Sequence, residues 1–174
     1  MVRVSIGDYA PGFTLESVNM GTVSLSSYKG ERVVIIFSRY FGCPVCQLDF
    51  DELLEYKDRI GEYAEIIYLT QSNPESALSY IKDYEVDFPV VPVSKDGDYG
   101  VYREYGVGNF GIGTTIEILR RASKARKMGK VHGAYEGLET QSPADFVVDG
   151  EGRVIWAHKG VLDIKKMLGF LESL

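Results

Sequence analysis

Residues 33–46 read VVIIFSRYFGCPVC and contain both cysteines of this 174-residue chain. The run from Val33 to Phe37 consists of β-branched and aromatic residues, which is typical of a strand buried on both faces of a parallel sheet. After Cys46, apolar residues recur at helical spacing as far as Ile60, and acidic residues, beginning with Asp49, take the opposite side. The stretch is therefore predicted to run from a buried strand through a turn into an amphipathic helix.

The cysteines lie where this helix begins. Pro44 fits the first helical turn, where no backbone N–H is missed. Unpaired N–H groups and the positive end of the helix dipole stabilise a thiolate there, so the thiol nearer the helix start is expected to ionise more easily. Because only two residues separate Cys43 from Cys46, the pair can also close a disulfide with little backbone movement. We therefore predict a redox-active pair.

Two other interpretations of the cysteines stay open. They could be small buried core residues, as free cysteines often are, although the periodicity places them at an element boundary. A zinc site needs four ligands, and the remaining histidines, His132 and His158, are not spaced from the cysteines as in a zinc finger. We expect neither a bound metal nor another cofactor.

Composition limits the classes of protein to which the chain can belong. Its 45% hydrophobic and 25% charged residues are typical of a soluble globular protein of one domain. A formal net charge of −6 argues against nucleic-acid binding. The sequence contains no apolar run long enough to span a membrane, and its first residues do not resemble a signal peptide. We therefore expect a cytoplasmic protein, in which a C-x-x-C pair is catalytic or sensing more often than structural.

The rest of the sequence alternates predicted strands and helices. Strands are predicted at residues 21–25, 65–70, 88–93, 144–149 and 153–158, and helices at 73–84, 99–105, 115–128 and 164–174. The two prolines in 88–93 indicate a strand near an edge, and residues 150–152 indicate a hairpin turn. This order predicts an α/β sandwich with a mixed sheet.

The segment from 109 to 141 is the least regular, and its centre is basic. Residues 114–133 contain six basic side chains and one acidic one, Glu117, so this part carries +5 and the remainder −11. We interpret the basic side as a solvated helix face in preference to a docking patch for an acidic partner.

Four further motifs occur in order along the chain: Gly7-Asp8-x-Ala10-Pro11-x-Phe13-x-Leu15, Val23-x-Leu25-Ser26-x-Tyr28-Lys29-Gly30, Tyr102-x-x-Tyr105-Gly106-Val107 and Phe146-Val147-Val148-Asp149-x-x-Gly152. Together they resemble the signatures of the alkyl hydroperoxide reductase/thiol-specific antioxidant (AhpC/TSA) superfamily of peroxiredoxin-like redoxins. The resemblance implies a thioredoxin-like three-layer sandwich, with a central mixed sheet flanked by helices. It also implies one domain over residues 1–174, with a helical insert at about 109–141.

The active-site motif departs from that of typical peroxiredoxins. The resemblance places Cys46 at the peroxidatic cysteine and Cys43 at the threonine that usually precedes it. Arg39 stands where peroxiredoxins have a proline, and Pro143 stands where they have an arginine. Pro143 instead resembles the cis-proline that lies against the cysteines in thioredoxin-type oxidoreductases, with a trans turn proline as the alternative.

The resemblance leaves two thiol-dependent activities open. In a peroxidase, Cys46 attacks a hydroperoxide and Cys43 condenses on the sulfenic acid, with Arg39 as the cation. In a disulfide exchange enzyme, Cys43 attacks a protein disulfide and Cys46 resolves it. Both need an external thiol reductant such as a thioredoxin-like protein, and a homodimer is the candidate assembly. A different class is a non-enzymatic redox sensor or adaptor that binds its partner through residues 114–133.

Other candidate residues receive structural interpretations. Tyr40 and Phe41 are predicted to cover the cysteines, and Trp156 is predicted to be core. His132 and His158 could donate protons, but a structural role is the preferred interpretation for both.

Overall fold

The computed structural model describes residues 3–97 and 99–174. Its strands and helices alternate much as the sequence predicts. The strands are β1 (Thr14–Glu16), β2 (Thr22–Ser24), β3 (Val33–Phe37), β4 (Glu65–Thr70), β5 (Val90–Pro92), β6 (Ala144–Val148) and β7 (Val154–Lys159). The α-helices are α1 (Pro44–Gly61), α2 (Pro74–Ile81), α3 (Gly100–Glu104), α4 (Ile112–Lys127) and α5 (Ile164–Glu172), and short 3-10 turns occupy Leu25–Tyr28 and Lys95–Gly97.

Five strands form the central sheet in the order β5-β4-β3-β6-β7. β3, β4 and β5 are parallel, whereas β6 and β7 are antiparallel to their neighbours, so the sheet is mixed as predicted. All five residues of β3 are buried, because this strand lies at the centre and is covered on both faces. β5 forms an edge, in agreement with its prolines.

Alternate residues of β3 point into two separate apolar layers. Val34 and Ile36 pack towards α1, α2 and α5, whereas Val33, Ile35 and Phe37 pack towards α3 and the small β1–β2 sheet. The result is the predicted three-layer sandwich. The carboxyl end of β3 therefore delivers the chain directly to the start of α1, where the cysteines lie.

Local signals fix several element ends. Asn73 caps α2 by accepting a hydrogen bond from the backbone N–H of Ser76 at 2.8 Å. Gly152, with φ of 87°, turns the β6–β7 hairpin through a conformation that favours glycine. No helix in residues 3–97 and 99–174 is long and apolar enough to cross a membrane.

Trp156 differs from its prediction as a core residue. It lies half-buried on β7, stacks on Phe170 and donates its indole N–H to Asp145 at 2.7 Å. The reason is that β7 is an edge strand, so one end of the indole meets a polar group instead of the core.

Candidate active site

Cys43 is the residue that caps the amino terminus of α1. Its backbone is extended, at φ −80° and ψ 121°, and Pro44 is the first helical residue, as predicted. The Cys43 carbonyl accepts the N–H of Gln47 at 3.0 Å, so the helix begins with its usual hydrogen bond. Both cysteines are free thiols, and only 4% of Cys43 and 3% of Cys46 is exposed.

The two thiols have opposite acid–base properties. The Cys46 thiol donates a hydrogen bond to the Cys43 sulfur, and this bond, with help from Arg39 and two backbone N–H groups, lowers the pKa of Cys43 to about 6 against the opposing effect of burial. The same hydrogen bond, then burial and the charge of Cys43, raise the pKa of Cys46 well above its usual range. Near pH 7 the site therefore holds one thiolate, Cys43, and one thiol, Cys46.

A cavity of about 500 Å³ opens beside Cys43, and Cys43 is the cysteine that lines it. Its apolar wall comes from Val45 together with α4 and the loop that follows α4. The side chains in that wall include Val45, Ile118, Ala122 and Val131. Cys46 packs behind Cys43 in a cluster with Tyr40 and Val161. A molecule entering this cavity therefore meets the Cys43 sulfur first.

Arg39 provides the cation nearest to the sulfur. Its Nη1 lies 3.6 Å from Sγ of Cys43, and its Nη2 donates to the backbone carbonyl of Glu139. The guanidinium also lies 5.4 Å from the centre of the Tyr40 ring. Its Nε is buried, and no acceptor for it occurs among the described residues. The guanidinium thus approaches the Cys43 sulfur through Nη1.

His132 reaches the same cavity from the loop after α4. Its Nε2 lies 3.3 Å from the Tyr40 hydroxyl and its Nδ1 lies 2.7 Å from the carbonyl of Gly133. Because a carbonyl can only accept, Nδ1 is the donor in the contact with Gly133. The ring also packs on Tyr135, with centroids 4.1 Å apart. This placement was not predictable, since residues 128–141 have no hydrophobic period.

The predicted cover over the cysteines is only half present. Tyr40 packs with both cysteines, and burial raises its pKa to about 12. Phe41 turns the other way and stacks on Tyr80, with centroids 4.4 Å apart, in the aromatic layer beneath α1. The reason is that successive residues of an extended loop point to opposite sides, so Tyr40 and Phe41 cannot both face the thiols.

Asp49 was predicted on the polar side of α1, but it is 6% exposed. α4 covers it and supplies Arg121, whose Nε lies 3.2 Å from Oδ1 of Asp49 and whose Nη1 and Nη2 lie 3.1 and 2.8 Å from Glu52. Burial raises the pKa of Asp49 to about 7, although Arg121 acts in the opposite direction. Asp49 follows Cys46 by three residues, on the same face of the helix.

The structure decides the peptide bond before Pro143, which the resemblance implied to be cis. No peptide bond among the described residues is cis, so the bond before Pro143 is trans. Ala144 pairs with Phe37, and Pro143 therefore lies opposite the end of β3, where its carbonyl accepts the N–H of Gly160 at 2.9 Å. The cavity beside Cys43 is walled by other residues. The expected cis bond is therefore corrected to the alternative, a trans proline.

His158 lies away from the cavity beside Cys43. Its Nδ1 is 2.9 Å from Oδ1 of buried Asp145, and this hydrogen bond raises the pKa of His158. Its neighbours are structural groups on β6 and β7, in agreement with the preferred interpretation.

Comparisons with known proteins agree with this architecture. The model of the AhpC/TSA family matches residues 6–157. A Haemophilus influenzae protein assigned to the peroxiredoxins (bcp) is 27% identical over 153 residues, which cover 86% of this chain and 97% of that protein.

Solved structures with low identity share the fold. A peroxiredoxin-like protein from Aquifex aeolicus superposes with a TM-score of 0.70 at 18% identity, over 99% of this chain and 89% of that one. The thioredoxin domain of a thiol-disulfide oxidoreductase from Bacteroides vulgatus gives 0.65 at 19% identity, over 98% and 97%. The predicted redoxin resemblance and thioredoxin-like fold are confirmed, and the family match and the peroxiredoxin relative support a thiol-dependent oxidoreductase. The chain belongs to the AhpC/TSA family.

Proposed function

We propose that the chain reduces hydroperoxides with Cys43 as the attacking thiolate and Cys46 as the resolving thiol. The observation that carries this proposal is that the low-pKa sulfur of Cys43 lines the cavity, with Nη1 of Arg39 3.6 Å away. The family resemblance alone favours the reverse order, with Cys46 attacking. The lining of the cavity and the ionisation both support Cys43, because Cys46 is a protonated thiol that does not line the cavity.

The proposed cycle balances without a cofactor. The Cys43 thiolate attacks the outer oxygen of the peroxide, the O–O bond breaks, and the departing oxygen leaves with a proton from solvent as an alcohol or water. The sulfur of Cys46 then attacks the sulfenic acid of Cys43, and its proton joins the released hydroxide as water. The product is a Cys43–Cys46 disulfide, which an external dithiol reduces with two electrons.

We assign to Arg39 the role of stabilising the negative charge that develops on the departing oxygen. A preorganised donor in a partly buried site typically contributes about a hundredfold in rate. Arg39 supplies Nη1 beside the sulfur, and its contact with the Glu139 carbonyl holds the guanidinium in place. It would thus replace, from a different position, the arginine that Pro143 displaces.

The test uses single-cysteine variants treated with hydrogen peroxide. Cys46→Ser should form a sulfenic acid that dimedone traps on Cys43, whereas Cys43→Ser should react no faster than free cysteine. If Cys43→Ser forms the sulfenic acid instead, Cys46 is the attacking residue. If neither variant reacts faster than free cysteine, peroxide is not the substrate.

The second candidate is disulfide exchange on proteins. One observation favours it: an acidic outer thiolate and a buried inner thiol are also what an exchange enzyme needs. Stopped-flow oxidation of the reduced protein by hydrogen peroxide and by a model disulfide compares the two activities directly. A faster disulfide reaction would select exchange. A protein that oxidises once and shows no turnover with a reductant would instead be a redox sensor.

The need for an external reductant also indicates the cellular compartment in which we propose that this cycle operates. A pair that must be reduced again after each turnover suits the cytoplasm, where thiol reductants are maintained. We further propose that residues 1–174 act as one unit, because the segment 109–141 supplies part of the wall around Cys43.

A further inference from the structure

Helix α4 carries an apolar stripe that the described part of the chain leaves uncovered. Ile112, Ile116 and Leu119 follow one another at helical spacing, and 85%, 47% and 64% of their surfaces are exposed. The opposite face of α4, with Ala125 buried, holds the helix against the molecule. A contiguous exposed apolar surface of this kind marks an interaction site.

The stripe leads to the cavity that contains Cys43. Leu119 is a surface neighbour of Ala122 at i, i+3, and Ala122 lines that cavity. On the far side of the opening, Val131 and Tyr135 also line the cavity and are 76% and 68% exposed. A partner that covers the stripe would therefore lie over the mouth of the cavity.

Cations flank this stripe. Arg121 and Lys124 form ion pairs with α1, but no carboxylate of residues 3–97 or 99–174 lies within ion-pair distance of Arg120, Arg126 or Lys127. Residues 114–133 carry +5, whereas the remainder of the chain carries −11. Such a separation of charge steers an acidic molecule towards α4 and away from the other faces.

We propose that the α4 stripe and its flanking cations are the docking surface for an acidic dithiol protein, which reduces the Cys43–Cys46 disulfide. This proposal rests on the proposed function, since it needs that disulfide to form. The apolar residues supply contact area, the cations supply orientation, and the cavity admits the reacting thiol. An acidic protein fits better than a lipid surface, because a flat bilayer cannot reach a sulfur that is 4% exposed.

The order of steps in the reduction of the Cys43–Cys46 disulfide depends on which of its two sulfurs is accessible. A partner thiolate attacks Sγ of Cys43, the disulfide breaks, and its electron pair passes to the sulfur of Cys46. The partner's second thiolate then breaks the mixed disulfide and releases Cys43. The partner leaves as a disulfide after giving two electrons. Of its two thiol protons, one ends on Cys46 and the other in solvent, because Cys43 remains a thiolate.

The test compares two reductants in peroxide-dependent turnover. One is dithiothreitol, and the other is an acidic thioredoxin kept reduced by its reductase and NADPH. Charge reversal by Arg120→Glu with Lys127→Glu should lower kcat/KM for thioredoxin by about tenfold or more at low salt, without changing the dithiothreitol rate. Leu119→Ser should also slow thioredoxin alone. Lys29→Glu with Lys82→Glu makes the same change of charge away from α4 and should leave both rates within about twofold.

Salt gives an independent readout. The thioredoxin rate of the unmodified chain should fall as ionic strength rises, whereas that of the α4 double variant should be nearly flat. A thioredoxin rate that is insensitive to the α4 changes overturns the docking proposal. If dithiothreitol supports no turnover with hydrogen peroxide and none with a model disulfide, the proposed function is overturned instead. In that case, docking is tested by the yield of mixed disulfide between the Cys46→Ser variant and a single-cysteine thioredoxin. If charge reversal on α4 leaves this yield unchanged, the docking proposal is overturned as well.

Two other occupants of the stripe are distinguishable. Light scattering that detects a dimer dissociated by Leu119→Ser would assign the stripe to a second copy of this chain. Cosedimentation with phosphatidylserine vesicles that the α4 charge reversal abolishes would assign it to a lipid surface. Either result overturns the proposal of an acidic dithiol protein.

Discussion

Cys43 is acidic because two kinds of donor meet at one sulfur. The Cys46 thiol contributes most, and Arg39 and the backbone N–H groups of Val45 and Cys46 add to it, against the cost of burial. The hydrogen bond to Cys43, burial and the charge of Cys43 keep Cys46 protonated, and Arg39 acts in the opposite direction. Each cysteine therefore defines the role of the other, and replacing one changes the chemistry of both.

The first prediction concerns this pairing. Cys46→Ala should move the pKa of Cys43 from about 6 towards the ordinary thiol value of about 8.5, since the largest stabilising contact is lost. Because only the thiolate reacts, the alkylation rate rises with pH through the pKa. At pH 7 the variant should react with iodoacetamide at least about tenfold more slowly than the unmodified chain.

Cys46→Ser is the matched control, because its hydroxyl can still donate to the Cys43 sulfur. Its rate–pH curve should lie between those of the unmodified chain and the alanine variant. Superimposable curves for all three proteins would show that the Cys46 thiol does not set the acidity of Cys43.

At the residue scale, sequence reasoning found the cysteines but not their neighbours. Cys43 and Cys46 were predictable because a strand signal, a turn and a helix signal adjoin in one short stretch. Asp49 was misplaced because helical periodicity assigns sides relative to one buried face and contains no information about a second helix. His132 and Tyr135 reach the site through a loop whose position depends on contacts distant in sequence.

Helix α4 is held against α1 largely by charge. Besides the contacts of Arg121 with Asp49 and Glu52, Lys124 lies 3.3 Å from Glu52 and Lys130 pairs with Asp51. The interpretation of this side as a solvated basic face was therefore wrong for Arg121, whose side chain is 18% exposed. The acidic side of α1 and the basic side of α4 cover one another.

The second prediction tests this ionic contact. Arg121→Met should lower the free energy of unfolding by about 3 kcal/mol near pH 8, because it leaves the Asp49 carboxylate buried without its cation. The loss should shrink at pH 5. Burial places the pKa of Asp49 at about 7 even with Arg121 present, so below that pH the carboxyl becomes neutral. Urea unfolding at the two pH values measures both quantities.

Lys127→Met provides the comparison for Arg121→Met. Lys127 lies on the exposed side of the same helix, and its replacement should change the unfolding free energy by less than about 0.5 kcal/mol. Equal effects of the two substitutions, or a loss at pH 5 as large as at pH 8, would contradict a buried ion pair at Asp49.

At the element scale, regular patterns gave reliable predictions. The strand at 65–70 has its predicted bounds, and the cap at Asn73 begins α2 as predicted. Helix α4 begins three residues earlier than predicted, at Ile112, since its cap residue Gly111 offers no side-chain cap and Gly113 in the first turn is a poor helix former. The path of residues 128–143 was not predictable, because main-chain contacts with the cysteine loop determine it.

On the scale of the whole molecule, the sheet and the helices serve to present one charged sulfur. The thiolate exists only in the reduced protein, so the contacts that favour it stabilise that state alone. The folded pKa of Cys43 lies below its unfolded value. This contribution is therefore fully present above the unfolded pKa and is lost as pH falls through about 6.

The third prediction follows from this linkage. The stability of the reduced protein relative to the disulfide form should increase from about pH 6 to about pH 8.5 and fall above it, because the raised pKa keeps Cys46 protonated in the folded protein while it ionises in the unfolded chain. Urea unfolding of the reduced and oxidised proteins across this range measures the difference. In Arg39→Met the increase should be smaller, since one stabilising charge is absent. A difference that is constant with pH would contradict a low pKa for Cys43.

Two glycines join the cysteine loop to the segment that covers it. A side chain at Gly42 would place its Cβ 2.2 Å from the carbonyl oxygen of Ala134, and the N–H of Gly133 donates to the Gly42 carbonyl at 2.9 Å. The two backbone segments thus pack directly against each other, with no side chain between them. A displacement of the segment around Gly133 and Ala134 must therefore also displace the turn that contains Cys43. Access to the sulfur and the orientation of the sulfur are coupled by this contact.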